Sequence, residues 1–421
     1  MSGSGTVGDE NVANGQGVTL GSLALVNGTG LASNYSLNSA SLNITKRVLN
    51  SSGSKTYDAN TDALAAAITL SNLVSGEALN HSGTATISSA NAGSYTITNL
   101  SGISIADGSG GTASNYTLTG GTHNFTVNRR AVSVSGTRLY DATTNAVASD
   151  LSTHANLVGS ETLNLSGTGT IASKNVGSNK TVSVGTLALA DGSNGGLAAN
   201  YTLSGGTHQL TVNQRPLNAT LARQYDGTTT AAGSTLSSFD ALQGGETLTM
   251  TGSGTAASAN VANGIAMSSN GTLALADGTG LASNYSLNST VINIAQRVLN
   301  SSGSKTYDAN TDALAGAITL SNLVSGEALN HSGTATISSA NAGSYTITNL
   351  SGISIADGSG GTASNYTLTG GTHNFTVNRR AVSVSGTRLY DATTNAVASD
   401  LSTHANLVGS ETLNLSGTGT I

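Results

Sequence analysis

Phe125-Thr126-Val127-Asn128-Arg129-Arg130-Ala131-Val132-Ser133-Val134-Ser135 is followed a few residues later by Tyr140-Asp141. Apolar and polar residues alternate on both sides of the Arg129-Arg130 pair, the period-two pattern of half-buried strands. One strand hands over to the next across a couple of residues, with no Gly/Ser-rich or Pro-rich linker between them. The Tyr-Asp pair beyond the second strand recurs at Tyr57-Asp58, Tyr225-Asp226, Tyr307-Asp308 and Tyr390-Asp391. Successive tyrosines are 83, 85, 82 and 83 residues apart. A fixed period of this size means one folding unit used repeatedly, so the chain reads as an array.

Working outward, each unit opens with an arginine: Arg47, Arg130, Arg215, Arg297 and Arg380. The alternating strand and the Tyr-Asp turn follow. Asn145 to Val158 is less regular and fits loop, short strand or a helical turn. Glu161-Thr162-Leu163-Asn164-Leu165 alternates again, and a Gly-rich bend leads to Lys174-Asn175-Val176-Gly177. Val182, Val184, Leu187 and Leu189 suggest one or two further strands. The unit closes with Asn200-Tyr201-Thr202-Leu203, a Gly-Gly turn, and Thr207 to Val212. These boundaries predict whole repeats at 47–129, 130–214, 215–296 and 297–379. They are flanked by a C-terminal part of a unit at 1–46 and an N-terminal part at 380–421. Residues 47–171 and 297–421 agree at 124 of 125 positions, the one difference being Ala66 against Gly316. A catalytic domain rarely gains from such tandem copying, whereas a spacer grows longer.

Composition narrows the class. Apolar residues are 37% of the 421, charged residues only 9%, and there are 54 glycines, one proline (Pro216) and no Trp. Low charge, abundant Thr and small turn-forming residues favour many short strands joined by tight turns. Disorder ordinarily carries more charge and more proline. The net charge of −6 is dilute and there is no basic stripe, which argues against a nucleic-acid surface. With no cysteine, disulfide frameworks, thiolate metal sites and cysteine nucleophiles are excluded. No run of 18 apolar residues occurs, so membrane insertion is not expected. Met1-Ser2-Gly3-Ser4-Gly5 does not read as a signal peptide.

Of the 12 tyrosines, ten fall at two repeated positions. One set is Tyr57, Tyr140, Tyr225, Tyr307 and Tyr390; the other follows Asn, at Tyr35, Tyr116, Tyr201, Tyr285 and Tyr366. With three Phe and no Trp, tyrosine is the main bulky group for each core. Both rings are expected to anchor the core, with each hydroxyl bonded to backbone as in a tyrosine corner. The aspartates Asp58, Asp141, Asp226, Asp308 and Asp391 are expected to cap the turn. The competing reading is an aromatic sugar-binding platform. Asp107, Asp191, Asp277 and Asp357 precede Gly-rich turns but lack the spacing of a calcium loop, and Asn27 takes their place in the first segment. Glu77, Glu161, Glu246, Glu327 and Glu411 occur once per unit with no partner carboxylate nearby, so they are read as turn markers. His123, His208 and His373 recur after Gly-Gly-Thr, and no histidine pair has zinc-ligand spacing. Neither a phosphate loop nor a nucleophile elbow is present. No catalytic, cofactor or metal residue is assigned, and an enzyme is not expected.

The Tyr-Asp-Gly/Ala-x-Thr start, the Gly-Glu-x-Leu strand, the Lys-Asn-Val-Gly bend and the Asn-Tyr-Thr-Leu close together resemble the YDG-type repeat of large bacterial surface exoproteins of the filamentous-haemagglutinin, two-partner-secretion kind. Residues 130–214 match through Tyr140-Asp141, Lys174-Asn175-Val176-Gly177 and Asn200-Tyr201-Thr202-Leu203, and 215–296 carry the literal Tyr225-Asp226-Gly227. Ala follows Asp in the other units, and Asn91-Ala92-Gly93 replaces the bend motif. The resemblance implies a mostly-β, glycine-rich module in an adhesin stalk outside a Gram-negative cell, and transfers no catalytic residue.

The expected architecture is therefore all-β: a tandem array of small immunoglobulin-like sandwiches of about 83 residues forming an extended rod, with β-grasp-like repeats or a β-solenoid as alternatives. The expected role is a stalk or spacer. A second expectation is a self-assembling fibre subunit, residues 380–421 of one molecule being completed head-to-tail by residues 1–46 of the next. A third is a repeat module binding glycan or calcium. Host or matrix partners would be met through regions outside this chain.

Overall fold

In the computed structural model, which describes residues 1–421, every regular element is a β-strand or a three-residue 3-10 turn. No helix is long and apolar enough to cross a membrane. The chain divides into two compact units, Met1–Asn213 and Gln214–Ile421. Each contains two whole repeats.

The repeat at 47–129 defines the pattern. Its strands are β1 (Asn50–Thr56), β2 (Asp62–Leu64), β3 (Ile68–Ser71), β4 (Leu79–Ile87), β5 (Gly93–Asn99), β6 (Ile103–Asp107) and β7 (His123–Asn128). They form one mixed sheet in the order β6-β4-β5-β7-β1-β3, with β2 also pairing with β4. The opening and closing strands lie side by side and parallel, Ser51 opposite His123 through Thr56 opposite Asn128. All other long pairings are antiparallel. Period-two alternation is literal in β7, where His123, Phe125 and Val127 are buried and the residues between them are not. Gly53 sits opposite Phe125 because a Cβ there would lie 2.7 Å from the Phe125 ring. The glycine gives the ring a flat backbone to cover, at the entropic cost glycine carries in a strand.

The repeat at 297–379 is built identically. Its core gathers Ile318 from one edge of the sheet, Ala313 and Ile353 from the other end, and Phe375 and Val377 from the closing strand. One core fed from both ends means the sheet curls around it. The irregular stretch Asn145 to Val158 resolves into all three of its possibilities: strand Asn145–Val147, 3-10 turn Ala148–Asp150, strand Thr153–Ala155. Gly177–Ser183 and Ala188–Asp191 are the two further strands of that repeat.

The tandem array of small all-β repeats read from the sequence is thus what folds. Within that class the first-to-last parallel pair lies inside one mixed sheet curled over a small core. Its physical consequence is directional. A chain that enters and leaves a repeat on parallel neighbours leaves at the end opposite to where it entered. Asn128 closes one repeat and Arg130 opens the next.

Candidate functional site: the joint between repeats

The Tyr-Asp turn is built locally. Asp58, Asp141, Asp226, Asp308 and Asp391 each accept the backbone N–H two residues on, at 3.2, 3.0, 2.9, 3.2 and 3.0 Å. The residue after the aspartate is left-handed: φ is 61° at Ala59, 63° at Ala142, 61° at Ala309 and Ala392, and 77° at Gly227. A cation three residues before the aspartate pairs with it, Lys55 at 2.8 Å and Arg138 at 2.6 Å for example. The turn delivers the tyrosine to the end of its repeat.

There it meets the following repeat. The Tyr57 hydroxyl donates to Glu161 Oε1 at 2.7 Å, and the Tyr201 hydroxyl donates to the other oxygen of the same carboxylate at 2.5 Å. Tyr57 belongs to the 47–129 repeat; Glu161 and Tyr201 belong to the next. The second unit repeats the arrangement: Tyr225 donates to Glu327 Oε1 and Tyr366 to Glu327 Oε2, both at 2.7 Å. In each clasp the two rings meet edge-on, with centroids 5.4 Å apart. The Asn-Tyr hydroxyl also accepts a backbone N–H, from Val158 onto Tyr201 at 3.0 Å and from Val324 onto Tyr366 at 3.0 Å. Burial, then the bond to the carboxylate and its negative charge, push Tyr57, Tyr201 and Tyr366 up to about 12. Tyr225 is raised for the same reasons.

Two further ties accompany the clasp. Asn200 is buried and reaches back into the preceding repeat, its Oδ1 accepting the Ala92 N–H at 2.8 Å and its Nδ2 donating to Asn91 Oδ1 at 3.0 Å. Asn365 does the same with the Val261 N–H and Asn260, at 2.9 and 3.0 Å, and Asn115 with the Val12 N–H and Asn11, at 2.8 and 2.7 Å. The opening arginine forks. Arg130 donates through Nε to Asn156 O of its own repeat at 2.7 Å and through Nη1 to Tyr57 O of the preceding one at 3.3 Å. Arg297 bridges Asn322 O and Tyr225 O in the same way. Apolar packing is continuous across this joint, since Tyr225, Leu299 and Tyr366 share one cluster with Leu221 and Ile292.

Several residues therefore stand elsewhere than the sequence placed them. The Tyr-Asp hydroxyls of Tyr57, Tyr225 and Tyr307 bond a glutamate of the next repeat, not backbone. Tyr116, Tyr201, Tyr285 and Tyr366 do accept backbone N–H groups and also hold a glutamate. Tyr140 is fully buried, whereas Tyr390 and Tyr35 are 94% and 69% exposed and anchor nothing. The glutamates do mark turns, Glu161 N–H donating to Val158 O at 3.0 Å, but their carboxylates are the centre of the joint. The missed signal is a distance. Tyr57 to Glu161 spans 104 residues, longer than one period, so the interaction has to cross between repeats.

The aspartates of the Gly-rich turns and the histidines after Gly-Gly-Thr have local partners. Asp107, Asp191, Asp277 and Asp357 accept the N–H that starts each Ala-containing 3-10 turn, at 2.6 to 2.7 Å, and Asn27 does so at 2.8 Å. His123 and His373 bridge a serine hydroxyl on the opening strand and a carbonyl of the closing turn. No group of three or more His, Asp or Glu is placed to hold a metal ion.

Four successive segments, residues 41–124, 122–211, 207–292 and 295–374, match the YDG domain. None of the curated proteins compared with it matches the chain. The Tyr-Asp turn, the Asn-containing bend, the turn glutamate and the Asn-Tyr close all meet at the joint, and with four matches spanning most of its length the chain belongs to the YDG domain family.

Proposed function

We propose that this chain is a non-enzymatic structural segment, the stalk or spacer of an extracellular bacterial surface protein or filament that holds a binding region away from the cell. The observation that carries this reading is the clasped joint. Within each of the two units, the two whole repeats share a buried tyrosine pair, a bifurcated carboxylate, an asparagine tie and an arginine fork, with no flexible linker. Parallel first and last strands advance the chain by one repeat length per unit, which suits extension. The resemblance to filamentous-haemagglutinin-like exoproteins supports the extracellular, Gram-negative setting. A cysteine-free chain also suits export followed by folding without disulfide chemistry.

The test is mechanical. Pulled from its ends in a force spectrometer, the chain should give a sawtooth in which each unfolding repeat of about 83 residues adds roughly 280 Å of contour, before subtracting its folded length. Small-angle scattering should report an elongated particle. A compact profile with a collapsed distance distribution would overturn the spacer reading.

A further inference from the structure

The parallel pair that opens and closes each repeat also fixes how a pull along the chain is met. Tension enters a repeat at the N-terminal end of its opening strand and leaves at the C-terminal end of its closing strand. In the 47–129 repeat those points lie at opposite ends of one ladder, Ser51 opposite His123 at the entry and Thr56 opposite Asn128 at the exit. Pulling them apart slides one strand along the other, so the evenly spaced bonds of a parallel pair are strained together. A hairpin pulled from its two ends instead opens at one end and loses its bonds one at a time. The loaded pair, β1 and β7, lies inside the sheet with β3 on one flank and β5 on the other. The Tyr-Asp tyrosine closes the exit end. Tyr57 N–H donates to Asn128 O, and Tyr140, Tyr225 and Tyr307 donate likewise to Asn213, Ala295 and Asn378, each at 2.9 Å.

The ladders are not equal. In the 47–129 repeat Arg47–Val48 pairs with Tyr116–Thr117, and strand pairing resumes at Ser51 and His123. Leu49 N–H donates to Thr117 O at 2.8 Å, and Ser51 N–H, two residues on, to Thr122 O at 3.0 Å. Residues 118–121, with the Gly120-Gly121 turn, therefore loop outside the ladder. That slack uncouples the 116–117 pairing from a pull on Asn128 and leaves six residue pairs to bear it. The 130–214 and 297–379 repeats are built the same way. The 215–296 repeat lacks the Gly-Gly turn, reading Asn284-Tyr285-Ser286-Leu287-Asn288-Ser289-Thr290. Its ladder runs through ten pairs, from Arg215 opposite Tyr285 to Gln224 opposite Ala295, with a one-residue bulge at Asn288. The bulge is pinned: Asn288 Nδ2 and Ser289 Oγ both donate to Asn218 Oδ1, at 3.0 and 2.6 Å.

We infer that each repeat is a load-bearing clamp whose first-to-last parallel ladder carries tension in shear, and that the 215–296 repeat is the last of the four whole repeats to yield. The inference rests on the spacer reading for its setting, while the geometry belongs to each repeat by itself.

The test is single-molecule pulling on the 421-residue chain, whose lack of cysteine lets thiol handles be placed at chosen sites. Ser52→Cys with Asn128→Cys loads the ladder in shear. Thr56→Cys with Asn128→Cys, at residues that face each other, peels it from one end. All three side chains are exposed, and unchanged thermal melts check that both variants fold. Forced unfolding reads the unfolding rate, and at one constant force it should be at least about tenfold slower in shear. Tenfold is about 1.4 kcal/mol of barrier, the worth of one or two hydrogen bonds loaded together. Pulled from its ends, the chain should show one repeat unfolding at a force above the others. Inserting Gly-Gly between Asn288 and Ser289 should bring that peak down to the rest. Equal rates through the two handle pairs, or a highest peak unmoved by the insertion, would overturn the inference. Equal rates in a chain that scatters as an elongated particle would remove the clamp and leave the spacer; a shear difference in a compact particle would do the reverse.

Discussion

Replacing Glu161 by alanine removes the carboxylate that takes both phenols of a clasp. The two bonds are 2.7 and 2.5 Å long and charge-assisted. Such bonds contribute about 1.5–3 kcal/mol each when buried. Glu161 is only half-buried and Tyr201 keeps the Val158 N–H, so the low end applies and the joint should lose about 3 kcal/mol in all. The molecule carries its own control. Glu77 holds a single phenol, that of Tyr116 at 2.5 Å, and Glu77→Ala should cost about half as much. Native-state hydrogen exchange of the whole chain reads this locally. The peptide bearing each substitution differs in mass from its copy 250 residues away, so the Val158 and Val74 amides are separable from Val408 and Val324. Protection should fall about a hundredfold across Val158–Glu161→Ala and about tenfold across Val74–Glu77→Ala. Protection across 197–203, a stretch with no copy, should fall with the first substitution and not with the second. Equal effects of the two substitutions, or a loss spread evenly along the chain, would refute the clasp as the source of coupling.

Other outcomes follow from the same geometry. Tyr57 and Tyr201 are raised from 10 to about 12, so their contribution is complete below about pH 10 and is lost as pH climbs toward 12. Thermal melts should show that loss, and Tyr57→Phe should reduce its size. Ala142→Gly should stabilise the fold by roughly 0.5–1 kcal/mol, since Ala142 sits at φ 63°, and a raised denaturant midpoint checks it. Asn200→Ala leaves the Ala92 N–H without its acceptor and should cost about 1–3 kcal/mol in chemical denaturation. Gly167→Ala meets both a left-handed φ of 84° and Thr186 O, and should cost well over the roughly 1 kcal/mol expected at Gly159, where φ is 54° and nothing lies within 4 Å.

Much of the fold was legible because its signals are local. Alternation in 123–128 and 208–213 reports burial on one face, and these segments are strands. Asp58 and its equivalents cap the next turn two residues away, well within the reach of a side chain. Sheet order was not legible. Nothing in Asn50–Thr56 and His123–Asn128 says that they lie side by side, because parallel pairing leaves no turn to mark it. The joint was illegible for a related reason: Glu77 and Glu161 are the same residue in the same local motif, and only packing assigns Tyr57 to the distant one.

Residues 130–171 and 380–421 are identical in sequence and separate these two levels. The first copy buries Val132, Val134 and Tyr140 completely; in the second, Val382 and Val384 are 37% exposed and Tyr390 is 94% exposed. By itself the sequence determined the period, the β class, the turns at Tyr-Asp and the alternation that makes a strand possible, all of which are interactions among near neighbours. Whether Tyr140 is an anchor, whether Ser133–Leu139 runs its full seven residues, and which carboxylate a phenol meets were decided only by tertiary structure. Val134 pairs with His208 across 74 residues, and no local signal supplies a strand partner that the rest of the fold must bring.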